Sequence, residues 1–315
     1  MITTPVTVPS FAKINWSLRI LGKRPDFYHE LITVLQTISL HDEITFRTDL
    51  SKGRLKLTCD DPSIPIDDTN LITQAAMALW DCDYQRSYKA RIHLRKRIPA
   101  QAGLGGGSSN AAVTLLALNA IWRGGRSRIE DLMDLFYTEP GFLGADVPFF
   151  LIGGCCLGTG TGTTLTPLPD GPKQHLIVIT PNAKVSTTEA YSLLKAASLT
   201  TSESASILSS SLADLNSADS RQWPLRNDFE SVIFEIEPEI GRAKNALLEA
   251  GARGALLAGS GSSVFGVFDS EAARNLALEN LRCEAGWKVF SCETISRDEY
   301  CRAINSSGFP LFTLS

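Results

Sequence analysis

Apolar and polar residues alternate along much of the first hundred positions. A period of two is typical of strands that pack one face on a core. The pattern predicts strands over residues 5–21, 31–48, 53–60 and 88–98, with the second broken at His41 and Asp42. Two later apolar runs predict strands over 174–181 and 287–295. The segment 239–268 is predicted to be helix, glycine turn, strand, glycine turn and strand.

Helical periodicity separates these strands. The pattern predicts helices over 69–82, 110–122, 126–138, 186–198 and 271–286. Thr69 or Asn70 is expected to cap the first helix, and Ser127 the third, with Glu130 at capping-box spacing. Residues 198–220 contain nine serines and form the strongest candidate for disorder. Because strands and helices do not alternate strictly, we expect an α+β fold, with helices on one side of largely antiparallel sheets.

Composition narrows the class of protein. The chain has 315 residues, of which 43% are hydrophobic and 20% charged, as in a globular protein with one large domain or two moderate ones. A net charge of -4 argues against nucleic acid as the main partner, although a local basic pocket stays possible. The seven cysteines include no CxxC pair, so free thiols are expected rather than disulfides or a zinc site.

The N-terminal sequence has no basic stretch followed by an apolar one, so no secretory signal is evident. The apolar runs are shorter than the roughly 18 residues that a membrane-spanning helix needs. We therefore expect a cytoplasmic protein without a membrane partner, as a monomer or a homodimer.

The stretch from Lys96 to Asn119 contains a glycine-rich loop that runs directly into a helix pattern. Converging backbone N–H groups and a helix start, expected at Ser108–Asn110, would make an anion site suited to phosphate. The loop lacks the lysine of a GxxxxGKS/T phosphate loop and the third glycine of a GxGxxG motif. An ordinary glycine turn with a serine cap is the alternative. If phosphate binds, a side chain added at Gly105 or Gly106 should obstruct the ligand more than the fold.

Three motifs in order resemble those of the GHMP kinases. They are "PSFAKINWSLRILGKRPDFYHEL" near the N-terminus, the loop from Pro99 to Ala112, and "LLAGSGSSVFGVF" near the C-terminus. "AKIN", "GKRPDFYHEL" and "LGADVPFFLIGG" are similar to one branch, the 4-diphosphocytidyl-2-C-methyl-D-erythritol kinases. The resemblance covers the chain from Pro9 to about Phe268. One departure is Phe27, which stands where that branch commonly has glycine.

The resemblance implies a two-domain GHMP kinase fold with the active site in the cleft between the domains. The expected division is an N-terminal ATP-binding domain over residues 1–165 and a C-terminal substrate-binding domain over 166–315. The implied reaction is ATP-dependent phosphorylation of the 2-hydroxyl of the methylerythritol part, a step of the non-mevalonate isoprenoid pathway. Two alternatives are another GHMP kinase, acting on homoserine or a mevalonate-type alcohol, and a non-catalytic nucleotide-binding relative.

Two residues are candidates for the chemistry. By resemblance, Asp146 is the base that takes the hydroxyl proton, although from sequence alone an aspartate before Val-Pro could simply cap a helix or belong to a turn. Lys13 lies in an apolar strand, where an unpaired ammonium is costly. The resemblance pairs it with Asp146, whereas the alternative is a lysine that extends to the surface.

A cytidine-containing substrate needs stacking surfaces and a group that recognises the edge of the base. The candidates for substrate binding are Tyr28, His29 and Tyr191, although Tyr191 could equally belong to a core. Asn15 follows Lys13 by two residues, so on a strand both would face the same side, and Asn15 could bind substrate.

The resemblance also indicates which residues bind ATP. The glycine-rich loop supplies most of them: Pro99, Ala100, Gly103, Leu104, Gly105, Gly106, Gly107, Ser108 and Ser109. Asn70 and Lys96 are expected to flank the adenosine. Magnesium is expected as a counter-charge for the phosphates. The sequence shows no carboxylate cage for the ion, so loop hydroxyls such as Ser108 or Ser109 would help to hold it.

Overall fold

The computed structural model describes residues 4–53, 55–81, 88–123, 132–133, 143–194 and 225–306. The strands in these ranges are β1 Val6–Lys23, β2 His29–Lys52, β3 Leu55–Cys59, β4 Tyr88–Arg95, β5 Cys155–Gly160, β6 Thr164–Pro167, β7 His175–Thr180, β8 Arg226–Asn227, β9 Gly254–Leu257, β10 Val264–Phe268 and β11 Lys288–Glu293. The helices are α1 Leu71–Asp81, α2 Gly106–Arg123, α3 Val147–Ile152, α4 Thr187–Leu193, α5 Glu230–Ile236, α6 Pro238–Glu249, α7 Glu271–Asn280 and α8 Arg297–Asn305.

The strands form two sheets. The larger sheet has the order β3-β4-β2-β1-β8, and β5 and β6 continue from β2. The smaller sheet has the order β11-β7-β10-β9, with every pair antiparallel. Only β1–β8 and β3–β4 run parallel among the described pairs. The expected α+β fold with largely antiparallel sheets is therefore confirmed.

The long hairpin of β1 and β2 forms the centre of the larger sheet. The break expected at His41 and Asp42 is wrong, because β2 is continuous from His29 to Lys52. The pairing register instead shifts just before these residues, since Phe11 pairs with His41 and Ala12 with Ile38. The polar pair marks a bulge, which re-aims side chains without ending the strand.

Helix α2 packs against the larger sheet, and it begins earlier than the sequence predicts. Its first residue is Gly106 rather than a residue within Ser108–Asn110. The helix packs into the main apolar cluster beside α1 and the larger sheet. Helix α1 matches its prediction, since Asn70 Oδ1 accepts the Ile72 backbone N–H at 2.9 Å, the geometry of an N-terminal cap.

The smaller sheet carries a separate apolar cluster with α5, α6 and α7. The strands predicted at 174–181 and 287–295 are confirmed as β7 and β11, and the helix predicted over 271–286 ends earlier, at Asn280. The sequence pattern missed α3, α5, α8, β5 and β6. The predicted helix over 126–138 lies almost entirely outside the described residues, and the serine-rich segment 198–220 lies wholly outside them.

Elements from the second half of the chain pack on strand β1 of the first half. The predicted division after residue 165 falls within β6, and it stays a prediction. From the second half, β8 pairs with β1, and Tyr300 of α8 packs its ring 5.5 Å from that of Phe11. No helix in the described ranges is long and apolar enough to cross a membrane. The six cysteines with described positions are free thiols.

Candidate active site

Strand β1 carries two polar side chains into a cleft beside the glycine-rich loop. Lys13 and Asn15 are both buried, and Lys13 Nζ donates to Asn15 Oδ1 at 2.9 Å. Asn15 Nδ2 donates in turn to Thr33 Oγ1 at 2.8 Å, so the neighbouring strand fixes the amide. The spacing of two places both side chains on one face, as the sequence predicts. Lys13 is not a surface lysine, because its side chain is only 5% exposed.

Asp146 stands at the start of α3 and faces the ammonium of Lys13. The distance between Asp146 Oδ2 and Lys13 Nζ is 3.5 Å, and 37% of the aspartate side chain is exposed. Asp146 occupies the N-terminal cap position of α3, but its carboxylate makes no capping hydrogen bond to that helix. The structure therefore brings together the two residues that the resemblance pairs, with the carboxylate open to the cleft.

Helix α3 is anchored firmly enough to hold that carboxylate in place. Val147 to Leu151 are all buried, and the Tyr300 hydroxyl donates to the Phe150 carbonyl at 2.5 Å. Gly153 follows directly, with a φ of 70°, and a Cβ there would lie 2.2 Å from the Tyr300 ring. Only glycine allows this approach, so the segment after Asp146 is locked against α8.

The glycine-rich loop presents only part of itself to the cleft. Gly103, Gly105 and Ser108 line it. Leu104 is buried, and its carbonyl accepts the Lys13 backbone N–H at 3.0 Å. Ser109 is also buried, and its hydroxyl accepts from Ser10 Oγ at 2.8 Å instead of lining the cleft. The loop is thus attached directly to the strand that carries Lys13.

The first turn of α2 completes the phosphate-binding candidate. Gly106, Gly107 and Ser108 are its first three residues, and the Ser109 N–H makes the first helical bond, to Gly105, at 2.9 Å. The N–H groups before that bond have no partner within the helix, and the helix dipole adds positive potential there. Because the helix begins at Gly106, Gly106 and Gly107 both lie within the turn that can bind an anion.

The C-terminal glycine motif packs directly on this loop. A Cβ on Gly103 would lie 1.9 Å from the Ala258 carbonyl oxygen, and one on Gly259 would lie 3.2 Å from Lys13 Nζ. Ser263 N–H donates to the Ala102 carbonyl at 3.1 Å. The two glycine motifs therefore approach each other closely through their backbones. This contact joins the smaller sheet to the loop on the larger one.

An aromatic group lies in the same cleft. The rings of His29 and Tyr191 stack with centroids 4.7 Å apart, and Phe229 meets Tyr191 edge-on at 4.9 Å. Burial, with a smaller contribution from the charge of Lys23, lowers the pKa of His29, so the ring is neutral near pH 7. Burial raises the pKa of Tyr191 to about 12, and the negative charge of Asp146 adds to the shift.

Tyr28 lies in the turn between β1 and β2, and the residue is 64% exposed at the cleft. The turn is closed by a 2.7 Å hydrogen bond from Arg24 N–H to the Tyr28 carbonyl. Phe27 adopts a φ of 67°, in the region that favours glycine, and its ring is 80% exposed. The tyrosine therefore still reaches the cleft although glycine is replaced.

The remaining predicted nucleotide residues lie away from the cleft lining. Asn70 is engaged at the start of α1, where its Nδ2 donates to the Pro65 carbonyl at 2.6 Å. Lys96 Nζ binds Asp42 Oδ2 at 2.7 Å in a buried pair. Pro99 and Ala100 lie where the chain enters the loop, outside the cleft lining. Contacts of these residues with a nucleotide stay predictions.

Sequence reasoning missed several residues that shape the site. Thr33 fixes Asn15, and Phe229 supports Tyr191. Asp42 binds the backbone of residues 97 and 98, in the segment that leads into the glycine-rich loop and is called its entering stem. From the sequence, Asp42 was interpreted as part of a break in the strand. A buried charge in an apolar strand was the available signal, since such a charge needs a partner.

Comparison with known proteins agrees with this geometry. The profile of the GHMP kinases N terminal domain matches residues 70–154, and that of the GHMP kinases C terminal matches 204–286. The chain is 40% identical over 296 residues to the 4-diphosphocytidyl-2-C-methyl-D-erythritol kinase of Solibacter usitatus, covering 92% of this chain and 89% of the relative. It is also 40% identical over 280 residues to the enzyme of that name from Pelotomaculum thermopropionicum, covering 89% and 95%.

Solved structures give the same result. A crystal structure of 4-(cytidine 5'-diphospho)-2C-methyl-D-erythritol kinase superposes with a TM-score of 0.72 at 31% identity, covering 91% of this chain and 98% of that one. A homoserine kinase from Cytophaga hutchinsonii shares the fold, with a TM-score of 0.68 at 20% identity and coverage of 93% and 95%. The resemblance seen in the three motifs is confirmed. The chain is a small-molecule kinase of the GHMP superfamily, and it belongs to the 4-diphosphocytidyl-2-C-methyl-D-erythritol kinase family.

Proposed function

We propose that this enzyme transfers the γ-phosphoryl group of ATP to the 2-hydroxyl of 4-diphosphocytidyl-2-C-methyl-D-erythritol, in the non-mevalonate route to isoprenoid precursors. The observation that carries the proposal is the Lys13–Asp146 pair, 3.5 Å apart in a cleft that also contains the glycine loop and the aromatic group. The glycine loop fits phosphates, and the aromatic group fits a pyrimidine. Lys13 and Asp146 line the same cleft.

Asp146 is the proposed base. Its carboxylate takes the proton of the attacking hydroxyl while the hydroxyl oxygen bonds to the γ-phosphorus and the bond to the leaving ADP oxygen breaks. Lys13 Nζ lies 3.5 Å from the carboxylate and places positive charge beside the transferring group. Asn15 holds the Lys13 ammonium through the 2.9 Å bond and is available to the substrate hydroxyls.

The ATP phosphates are proposed to bind the first turn of α2 and the loop before it. Gly103, Gly105 and Ser108 line the cleft there, which supports the proposal. Magnesium, when bound, would neutralise phosphate charge. Of the two hydroxyls considered, that of Ser108 fits this role, because the Ser109 hydroxyl is buried and bonded to Ser10.

The cytosine is proposed to bind among Tyr28, His29 and Tyr191. Stacking suits any aromatic base, whereas the neutral ring of His29 offers both a donor and an acceptor to the base edge. The stack of His29 on Tyr191 supports the proposal, because it presents two adjacent rings to the cleft. A small alcohol without a base would leave this surface unused.

The test is ATP turnover with three alcohols: the diphosphocytidyl compound, homoserine and mevalonate. We expect turnover with the first and background rates with the other two. The Asp146→Asn variant should lose about 10²–10⁴-fold in kcat while still binding both substrates. Faster turnover of homoserine or mevalonate would reject the proposed substrate, and near-normal kcat in Asp146→Asn would reject the proposed base.

A further inference from the structure

A fully buried carboxylate, that of Asp42, lies beneath the glycine-rich loop. Strand β2 carries it opposite Ser10 of β1, and neither residue is exposed to solvent. Strand β4 ends at Arg95, and the chain then passes over Asp42 before it enters the loop. Asp42 Oδ1 accepts the backbone N–H groups of Arg97 at 2.7 Å and of Ile98 at 2.8 Å.

The other oxygen of Asp42 binds two side chains. Lys96 Nζ donates to Asp42 Oδ2 at 2.7 Å, and Asn110 Nδ2 donates to the same atom at 3.0 Å. Asn110 belongs to α2 and also donates to Ser10 Oγ at 2.8 Å. One carboxylate therefore binds the stem that enters the loop and the helix that leaves it.

We infer that Asp42 is a positioning residue for ATP binding, which fixes both stems of the phosphate loop, and that Lys96 acts through Asp42. This inference rests on the proposed function of the loop. Hydrogen bonds to Leu104 and Ala102 and the contact at Gly103 hold the tip of the loop, but they do not hold its stems. The carboxylate is the group that joins the two stems, because it accepts four donors from both of them. Asp60 Oδ1 adds one bond to the entering stem alone, from the Lys96 backbone N–H at 2.8 Å.

Stability alone does not account for this arrangement. Buried ion pairs stabilise little compared with apolar side chains of the same volume, because both charges lose their hydration. A Cβ on Gly106 would lie 3.2 Å from Lys96 Nζ, so the ammonium sits beside the first residue of α2. Backbone N–H groups bind a phosphate most tightly when the loop already holds them in position, since binding then does not have to order the loop.

The experiment measures ADP affinity by calorimetry in the full chain, together with amide hydrogen exchange of the free enzyme. The variants are Asp42→Asn, Lys96→Met and the double variant. The matched control is Glu239→Gln, because Glu239 also accepts a backbone N–H, from Asn182 at 3.1 Å, and a side-chain donor, Trp287 Nε1 at 2.8 Å, away from the cleft. All affinities are taken well below the melting temperature, per folded molecule.

We expect Asp42→Asn to weaken ADP binding about tenfold, which corresponds to loss of roughly one charge-assisted hydrogen bond. KM for the diphosphocytidyl alcohol should change less than twofold. Exchange should accelerate in the amides of residues 97–108. The double variant should lose about as much ADP affinity as Asp42→Asn alone, because Lys96 acts through Asp42 and the two residues behave as a unit. Glu239→Gln should change none of these quantities.

Three results would overturn the inference. They are unchanged ADP affinity and loop exchange in Asp42→Asn, equal losses for ADP and the alcohol, and strictly additive losses in the double variant. Additivity would mean that Lys96 contacts the nucleotide independently of Asp42. If wild-type enzyme bound no ADP, the proposed function would fail, whereas the exchange data would still decide whether Asp42 fixes the stems.

Discussion

Replacing Gly103 by alanine should destabilise the enzyme at the contact between its two glycine motifs. Gly103 has a φ of +76°, and its added Cβ would lie 1.9 Å from the Ala258 carbonyl oxygen and 3.0 Å from that of Gly261. Both obstacles are backbone atoms, so no side chain can rotate away. Either the loop or the C-terminal turn must move.

Two costs add at this position. A left-handed backbone costs an L-residue roughly 1–2 kcal/mol. Forcing a methyl group into a closed contact costs about 1–3 kcal/mol. The sum, about 2–5 kcal/mol, is a large part of the roughly 5–15 kcal/mol that stabilises a typical folded domain. The Leu104 carbonyl of the loop also accepts the Lys13 backbone N–H. Displacement of the loop should therefore shift Lys13 and reduce kcat/KM, by up to about 10²-fold for a shift near 1 Å.

Urea unfolding followed by circular dichroism measures the first effect. Gly107→Ala is the matched control, because its Cβ would have only Leu71 Cδ1 nearby, at 3.4 Å, and the residue lies in helix α2. Alanine there should stabilise the fold by up to about 1 kcal/mol. Equal stability of Gly103→Ala and wild type would refute the reasoning, since it would mean that the loop and the turn are free to separate.

Three further predictions concern the aromatic end of the cleft. Tyr28→Ala should raise KM for the cytidyl substrate by roughly tenfold to a hundredfold, since stacking contributes about 1–3 kcal/mol per base. Tyr28→Phe should raise this KM much less, and KM for ATP should stay unchanged in both variants. Equal losses for both substrates would contradict the prediction. Phe27→Gly should raise the melting temperature by removing a strained backbone worth roughly 1 kcal/mol, and a lower melting temperature would show that the exposed ring packs usefully. Burial lowers the pKa of His29 below its usual 6.5, so unfolded chains bind more protons and stability should fall as pH drops below about 6.5; melting curves of His29→Gln should lack this part of the loss.

The sequence predicted elements best where one face of the element packs on a core. Strands β1 and β4 show alternation, β7 and β11 are short apolar runs, and each was found close to its expected place. Helix α3 was missed because it has only six residues and nearly all are buried, so it has no polar face to reveal a helical period. Helix α8 begins with three charged residues, and its role as a support for α3 depends on Tyr300, which is distant from α3 in sequence.

The candidate site was predicted mostly by resemblance. Spacing alone placed Lys13 and Asn15 on one face, but no local pattern could bring Asp146 to Lys13, because that contact joins residues more than a hundred positions apart. The role expected for Gly105 also needs correction. A Cβ there would lie 2.9 Å from Phe150 Cζ and 3.0 Å from Lys13 Cγ. A side chain at Gly105 would therefore disturb packing and the catalytic lysine, rather than obstruct phosphate alone.

Strand β1 links the parts of the site that must act together. At Lys13 its backbone N–H holds the loop and its side chain meets Asp146. At Leu18 it pairs with β8, which leads within two residues to Phe229 beneath Tyr191. An extended strand rises about 3.3 Å per residue, so these attachment points are roughly 16 Å apart. A small alcohol can occupy only one end of such a site, whereas a nucleoside diphosphate linked to an alcohol can contact both. Selectivity for a long substrate then follows from the rigidity of β1 as much as from any residue that touches the base.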